Sequence, residues 1–330
     1  MNRAPRGSAR RGRRSLLFTV TPVVATVLIV VAMAAVVVHS VRRSAPTASP
    51  TAFGTNTVTG TPARTTAHTR SSTPAPATTT PADNPALAQR AVDLVDSLKV
   101  SGVQYGIAIL DRDTGKLTVG TEGDVGFFSA SVVKLFVVVD ILHRVEEGRI
   151  TLSSGDRTNI TRALELSDDN AMDSLWVKYD GPSLVTEMIS LAGLKDTVLD
   201  TANPGEWGET KISARDVTSV WEYALTKLSP ADRDLVVNDT HHAANNGADG
   251  FYQAFGLLEP PRPATVKAKQ GWMIAGSEMI LNTTGVLGAR DQYVVAILTR
   301  QSASIGYSQG RANVNQASTL ALKALTPGLG

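Results

Sequence analysis

The spacing of apolar and polar positions changes several times along the chain, and each change marks an element. From Leu16 to Val38 every residue is apolar or small except Thr19, Thr21, Pro22 and Thr26, and as a helix that run would rise roughly 35 Å, enough to cross a bilayer. Between about Ser44 and Ala82 Thr, Ala, Ser and Pro dominate, with too few large apolar side chains to offset the entropy of ordering, so a solvated linker is expected. Helical spacing begins at Asn84-Pro85, a capping pair followed by Leu87, Ala91, Leu94 and Leu98. Val103, Tyr105, Ile107 and Ile109 then alternate as a strand, Asp113-Thr114-Gly115 turns the chain, and Lys116 to Gly120 returns as a second strand. The run from Ser131 to Glu147 is apolar nearly all round and stops at Gly148, the pattern of a helix buried inside a larger fold.

Helical patterns recur over Leu164 to Trp176, Pro182 to Ala192 and Ser213 to Leu228, with an irregular stretch from Leu194 to Thr210. Strand-like runs follow at Ala264 to Lys269, Glu278 to Leu287 and Tyr293 to Thr299, and Ala312 to Leu325 closes the chain as a helix. Strands at both ends with helices between them predict an α/β (α+β) fold whose sheet the chain leaves and rejoins, with a helical lobe in between. No internal repeat is visible. The expected organisation is a basic cytoplasmic tail over 1–15, a membrane-spanning signal anchor over 16–39, a linker over 40–83 and one globular domain over 84–327.

Charge supports that topology. The net charge is only +2, but Arg3, Arg6, Arg10, Arg11, Arg13 and Arg14 precede the apolar run while Arg42 and Arg43 follow it. The positive-inside rule therefore places the N-terminus in the cytoplasm and the domain outside it, at the cell membrane. A cleaved signal would export the same domain as a secreted protein. Nothing in the body forms a nucleic-acid surface. The absence of cysteine excludes disulfides, thiolate metal sites and a cysteine nucleophile, which leaves Ser, Thr, Lys or a carboxylate for covalent chemistry.

Ser131 and Lys134 stand three apart at a predicted helix start, so their side chains share a face. A serine hydroxyl is a poor nucleophile until a base takes its proton, and a lysine desolvated among Val132, Val133, Leu135 and Phe136 is a suitable one. The spacing alone is common, and a helix cap followed by a surface lysine has the same pattern. Downstream lie Ser167-Asp168-Asp169 and Lys269-Gln270-Gly271-Trp272. In order and rough spacing the three segments resemble the Ser-x-x-Lys, Ser-Asp-Asn and Lys-Thr-Gly elements of class A β-lactamases and penicillin-binding proteins, over about Pro85 to Leu325.

The resemblance implies an antiparallel sheet flanked by helices, with no cofactor. It also implies roles: Ser131 as nucleophile, Lys134 as or beside the base, Ser167 as proton relay, Lys269 for the electrostatics, and the N–H groups of Ser131 and Trp272 as an oxyanion hole. Asp169, Gln270 and Gly271 fall at substrate-binding positions. Three departures stand out. Asp169 replaces an amide by a group that only accepts when ionised, Gln270 replaces a hydroxyl residue, and Asp196, Asp200, Glu206 and Glu209 form no Glu-x-x-x-Asn pattern, so efficient antibiotic hydrolysis is not implied. The expected activity is acyl transfer on a small-molecule or cell-wall peptide substrate. A non-catalytic envelope module that binds peptidoglycan fragments or a protein partner is the alternative, and a dedicated resistance enzyme a third. His241-His242 lacks metal-ligand spacing, His143 lies too far along its helix to serve Lys134, and no metal is expected.

Overall fold

The computed structural model describes residues 84–329; the expected tail, apolar span and linker lie outside the described residues. In chain order the elements are helix α1 (Asn84–Asp96), strands β1 (Val103–Asp111), β2 (Lys116–Val119) and β3 (Phe127–Phe128), helices α2 (Val133–Glu146), α3 (Ser154–Glu165), α4 (Asp169–Tyr179) and α5 (Gly181–Leu191), and strand β4 (Lys211–Ile212). Helices α6 (Ala214–Thr226) and α7 (Pro230–His241), strands β5 (Lys267–Ala275), β6 (Glu278–Leu287) and β7 (Tyr293–Ser302), and helix α8 (Gly306–Leu325) complete the fold. Among the described residues no helix is long and apolar enough to cross a membrane.

The main sheet is antiparallel in the order β2-β1-β7-β6-β5, and β3 pairs separately with β4. The two-residue period of a strand sorts its side chains between two layers. Ile107 and Ile109 of β1, paired with Ile297 and Val295 of β7, pack against Ala91 and Val95 of α1 and Ala317 and Ala321 of α8. The intervening Ala108, Ala296 and Leu298 face the helical lobe on the other side. There α2 is enclosed: Val133 to Leu142 are fully buried, packed against Leu184, Val185 and Met188 of α5 and Val217 and Trp221 of α6. Each large apolar side chain so buried contributes about 1.5–3 kcal/mol.

The all-round apolar run therefore forms a central helix, as its pattern predicts. Several boundaries differ. Leu164 to Trp176 is two helices, because Ser167 adopts a left-handed φ of 52° and the Asp168 carboxylate caps α4 by accepting from Ala171 N at 3.2 Å. Strand β5 runs to Ala275 instead of ending at Lys269; its outer residues Trp272, Met273 and Ile274 are part-exposed at the sheet edge, so their polar–apolar alternation is weak. Two helices escape the apolar pattern. α3 is mostly polar but carries a Ser153–Asp156 capping box, and α7 opens at Ser229-Pro230.

Candidate active site

Ser131 lies in a short 3₁₀ turn, Ala130–Val132, that leads into α2. The segment before it is held on two sides. Ser129 N donates to Thr210 O at 2.8 Å, and Asn282 of β6 donates its Nδ2 to Phe128 O at 2.9 Å and Ser129 O at 3.2 Å. Held in this way, Ala130 keeps a left-handed φ of 43°, a strain that non-glycine residues rarely bear and that clusters where geometry serves function. One turn on, the Lys134 ammonium stands 2.7 Å from Ser131 Oγ.

Two further segments converge on this pair. Lys134 Nζ also donates to Ser167 O at 2.7 Å and Asp169 Oδ1 at 2.6 Å, and lies 3.5 Å from Ser167 Oγ. Lys269 of β5 donates to Ser167 Oγ at 2.8 Å and to Gln270 O at 3.0 Å. Ser167 thus bridges the two lysines. Gly271 lets β5 approach: a Cβ there would stand 2.7 Å from Ser129 O and 3.2 Å from Ser131 N.

Neither lysine is solvated, with Lys134 0% and Lys269 1% exposed. Burial pushes the Lys134 pKa down, and the Asp169 carboxylate opposes that fall. Lys269 is pushed well below the ordinary lysine range, by burial first and by the neighbouring Lys134 charge second. Two adjacent buried ammoniums repel, and only Lys134 has a carboxylate in contact, so the resting arrangement the geometry favours is a charged Lys134 beside a neutral Lys269. Asp168, which caps α4 and pairs with Arg162, stays ionised, its pKa lowered by those bonds against the effect of burial.

A cleft of about 360 Å³ opens above Ser131, with Asp169, Asp173, Glu206, Trp207 and Trp272 among its walls. Trp207, from the irregular stretch, covers Lys134 with its ring centroid 4.6 Å from Nζ and is steered by its Nε1 bond to Asp173 Oδ1 at 2.8 Å. The structure does not bring Gln270 to this cleft. Its side chain is 1% exposed and its Nε2 donates to Phe255 O on the far side of the strand, so alternation along β5 turns it away from the substrate-binding position expected of it. Asp196 is likewise occupied elsewhere, accepting from Ser213 Oγ at 2.9 Å, and Asp200 accepts from its own loop at Ala202 N.

A cleft of about 450 Å³ at the end of α1 is lined by Asp96, Lys99, Ser101, Tyr105 and Glu122 among others, and Lys99 Nζ there donates to Asp96 O at 3.3 Å. His143, Glu147 and Glu187 could offer ligand atoms within 4.8 Å of one another, but Glu187 already pairs with Arg144 and Arg149 and His143 Nδ1 is 3.1 Å from Tyr223 OH. His241 and His242 each meet a main-chain carbonyl. The sequence reading passed over Asn282, Asp173 and Trp207. For Asn282 a signal existed, an amide directly after the apolar run Met279-Ile280-Leu281 in a strand-like segment, whereas Asp173 and Trp207 are marked by nothing local.

Comparisons with known proteins fit this geometry. The β-lactamase enzyme family matches over residues 86–155, the span that carries Ser131 and Lys134. LppW of Mycobacterium tuberculosis, and likewise of Mycobacterium bovis, named as a provisional lipoprotein, is 31% identical over 247 residues, covering 74% of this chain and 77% of the relative. Among solved structures, a class A β-lactamase from Bacteroides cellulosilyticus superposes with a TM-score of 0.60 at 18% identity, covering 72% of this chain and 98% of the other. PBP-A in its acyl-enzyme complex with penicillin G superposes with 0.57 at 20% identity, covering 73% and 96%.

Proposed function

Since the chain belongs to the serine β-lactamase-like family, we propose that it is an extracytoplasmic serine acyl-transfer enzyme working through Ser131 on an amide or ester near the cell wall. The observation that carries this reading is the 2.7 Å contact between Lys134 Nζ and Ser131 Oγ inside a set that also contains Ser167 and Lys269. Before attack, Lys134 passes a proton through the Ser167 hydroxyl to neutral Lys269. As a free amine, it then takes the Ser131 proton while Oγ bonds to the substrate carbonyl carbon. The N–H groups of Ser131 and Trp272 stabilise the resulting oxyanion. When the carbon–leaving-group bond breaks, Ser167 delivers a proton to the departing atom. Trp207 covers Lys134 beside Asp169, and the irregular stretch that supplies it has no Glu-x-x-x-Asn pattern, so the acyl-enzyme is expected to persist.

A domain starting at residue 84, a linker over 40–83 and an apolar anchor over 16–39 complete the proposal. The curated relatives are named as lipoproteins, yet these 330 residues include no cysteine for an acyl chain to modify. The apolar run would serve the anchoring role instead. The test is to expose the 84–330 segment, and separately the full chain, to a fluorescent penicillin and to a general serine-hydrolase probe, and to look for mass added at Ser131. Labelling that Ser131→Ala abolishes is the expected result. No labelling by either probe at high concentration, together with muropeptide binding unaffected by Ser131→Ala, would replace an enzyme with a binding module.

A further inference from the structure

The walls of the Ser131 cleft differ in charge from those needed to hold a carboxylate. Asp169, Asp173 and Glu206 line it, flanked by the indoles of Trp207 and Trp272, and among the described residues no lysine or arginine lines it. Both lysines of the site lie behind it, at 0% and 1% exposure. One Asp169 oxygen is taken by Lys134 at 2.6 Å and one Asp173 oxygen by the Trp207 N–H at 2.8 Å. These bonds orient the carboxylates but neutralise at most one of the three charges. Trp272 is fixed by stacking on Phe251 at 4.9 Å and by its Nε1 bond to Asp249 Oδ2 at 3.0 Å. Gln270, turned into the protein, offers no donor to an incoming anion.

Building on the acyl-transfer reading, we propose that the site selects acyl groups bearing a cationic amine, held by Asp169, Asp173 and Glu206 between the Trp207 and Trp272 rings. An ammonium gains twice here, from carboxylates in a partly desolvated cleft and from aromatic faces. A substrate carboxylate meets like charge instead, and like-charge juxtaposition is an effective means of exclusion. The reaction itself is unchanged: the Ser131 Oγ–acyl bond forms, the acyl–leaving-group bond breaks, and the leaving group departs with the proton that Ser131 gave up.

Three p-nitrophenyl esters of equal acyl length, ending in an ammonium, a neutral acetamide or a carboxylate, provide the test. Nitrophenolate release and the mass gained at Ser131 are followed in the wild type, in Asp173→Asn and in Glu206→Gln. The ammonium ester should acylate on the order of tenfold faster than the acetamide, with the carboxylate slowest, and the ratio should shrink in both variants and at high salt. In parallel, the corresponding non-hydrolysable amides are titrated calorimetrically into Ser131→Ala. Equal acylation by all three esters, or preference for the carboxylate, overturns this inference and leaves the acyl-transfer reading intact. Ammonium-selective binding to Ser131→Ala without acylation of the wild type supports the inference and removes the catalytic reading. No acylation and no binding of any probe overturns both.

Discussion

Replacing Asp169 with Asn separates the base from its counter-ion while keeping the side chain's shape. The carboxylate is in contact with Lys134 Nζ at 2.6 Å, but its side chain is 65% exposed whereas the lysine's is 0% exposed. Solvent screens such a pair, so the water-like limit is the fair dielectric. At this distance two unit charges then interact by about 1.6 kcal/mol, and about 1.4 kcal/mol corresponds to one pH unit of titration. The sign follows from the opposing causes: burial lowers the Lys134 pKa and Asp169 raises it, so removing the carboxylate leaves burial less opposed and the free amine appears at lower pH. Acylation requires that amine. The acid limb of the single-turnover acylation rate, measured with the neutral acetamide ester to exclude substrate charge, should therefore move about one pH unit to acid, with rates below the limb rising up to about tenfold. Asp168 and Asp173 remain to support the charge more weakly. A limb that stays in place or moves to alkaline pH would refute the claim that Asp169 tunes a lysine base.

Three further outcomes test the same architecture. Lys269→Met replaces a buried amine by an apolar chain of similar length; the melting temperature should rise by a few degrees while acylation falls about a hundredfold or more, and unchanged acylation in a calorimetrically intact protein would remove Lys269 from the site. Gly271→Ala places a Cβ 2.7 Å from Ser129 O, main-chain crowding that should cost about 1–3 kcal/mol in urea unfolding and slow acylation at least tenfold by pushing β5 from Ser131. Asp140, 0% exposed on α2, has its pKa raised to about 7, chiefly by burial and against the attraction of Arg144. The folded state therefore holds that proton more tightly than the unfolded chain, whose value is about 4, and the stability this contributes is present below about pH 4 and lost as pH rises to about 7. Asp140→Asn should flatten the decline in melting temperature over that window.

The legibility of the sequence followed the range of the interactions. The buried helix α2 and the β1–β2 hairpin were readable because local periodicity dictates them, and the Ser131–Lys134 contact because residues three apart at a helix start share a face. The break between α3 and α4 was not, since the left-handed Ser167 and the Asp168 cap are set by that motif's role against Lys134 and Lys269 rather than by apolar spacing. Gln270 was misplaced for a related reason. Motif position put it at the substrate, while the alternation of β5 and the Phe255 carbonyl turned it inward. Trp207 comes from a stretch with no periodic signal and Asp173 from the exposed face of a helix whose pattern marks only its buried side, and their mutual bond, visible in three dimensions, ties them together at the cleft.

Four of the places where this chain departs from local rules gather around Ser131 and Ser167, while Asp180 and Asp291 hold positive φ elsewhere. Ala130 and Ser167 hold left-handed backbone without glycine, a cost of about 1–3 kcal/mol each, and Lys134 and Lys269 are the two fully buried lysines among the described residues. None of these features stabilises the fold on its own account, and elsewhere the same chain caps α3, α6 and α7 with serines and fills α2 with aliphatic side chains. The four departures joined through Ser131 and Ser167 are thus retained against a net energetic cost. The surplus from the α2 core is what allows the two lysines to stay desolvated, and their desolvation is what makes one of them available as a base.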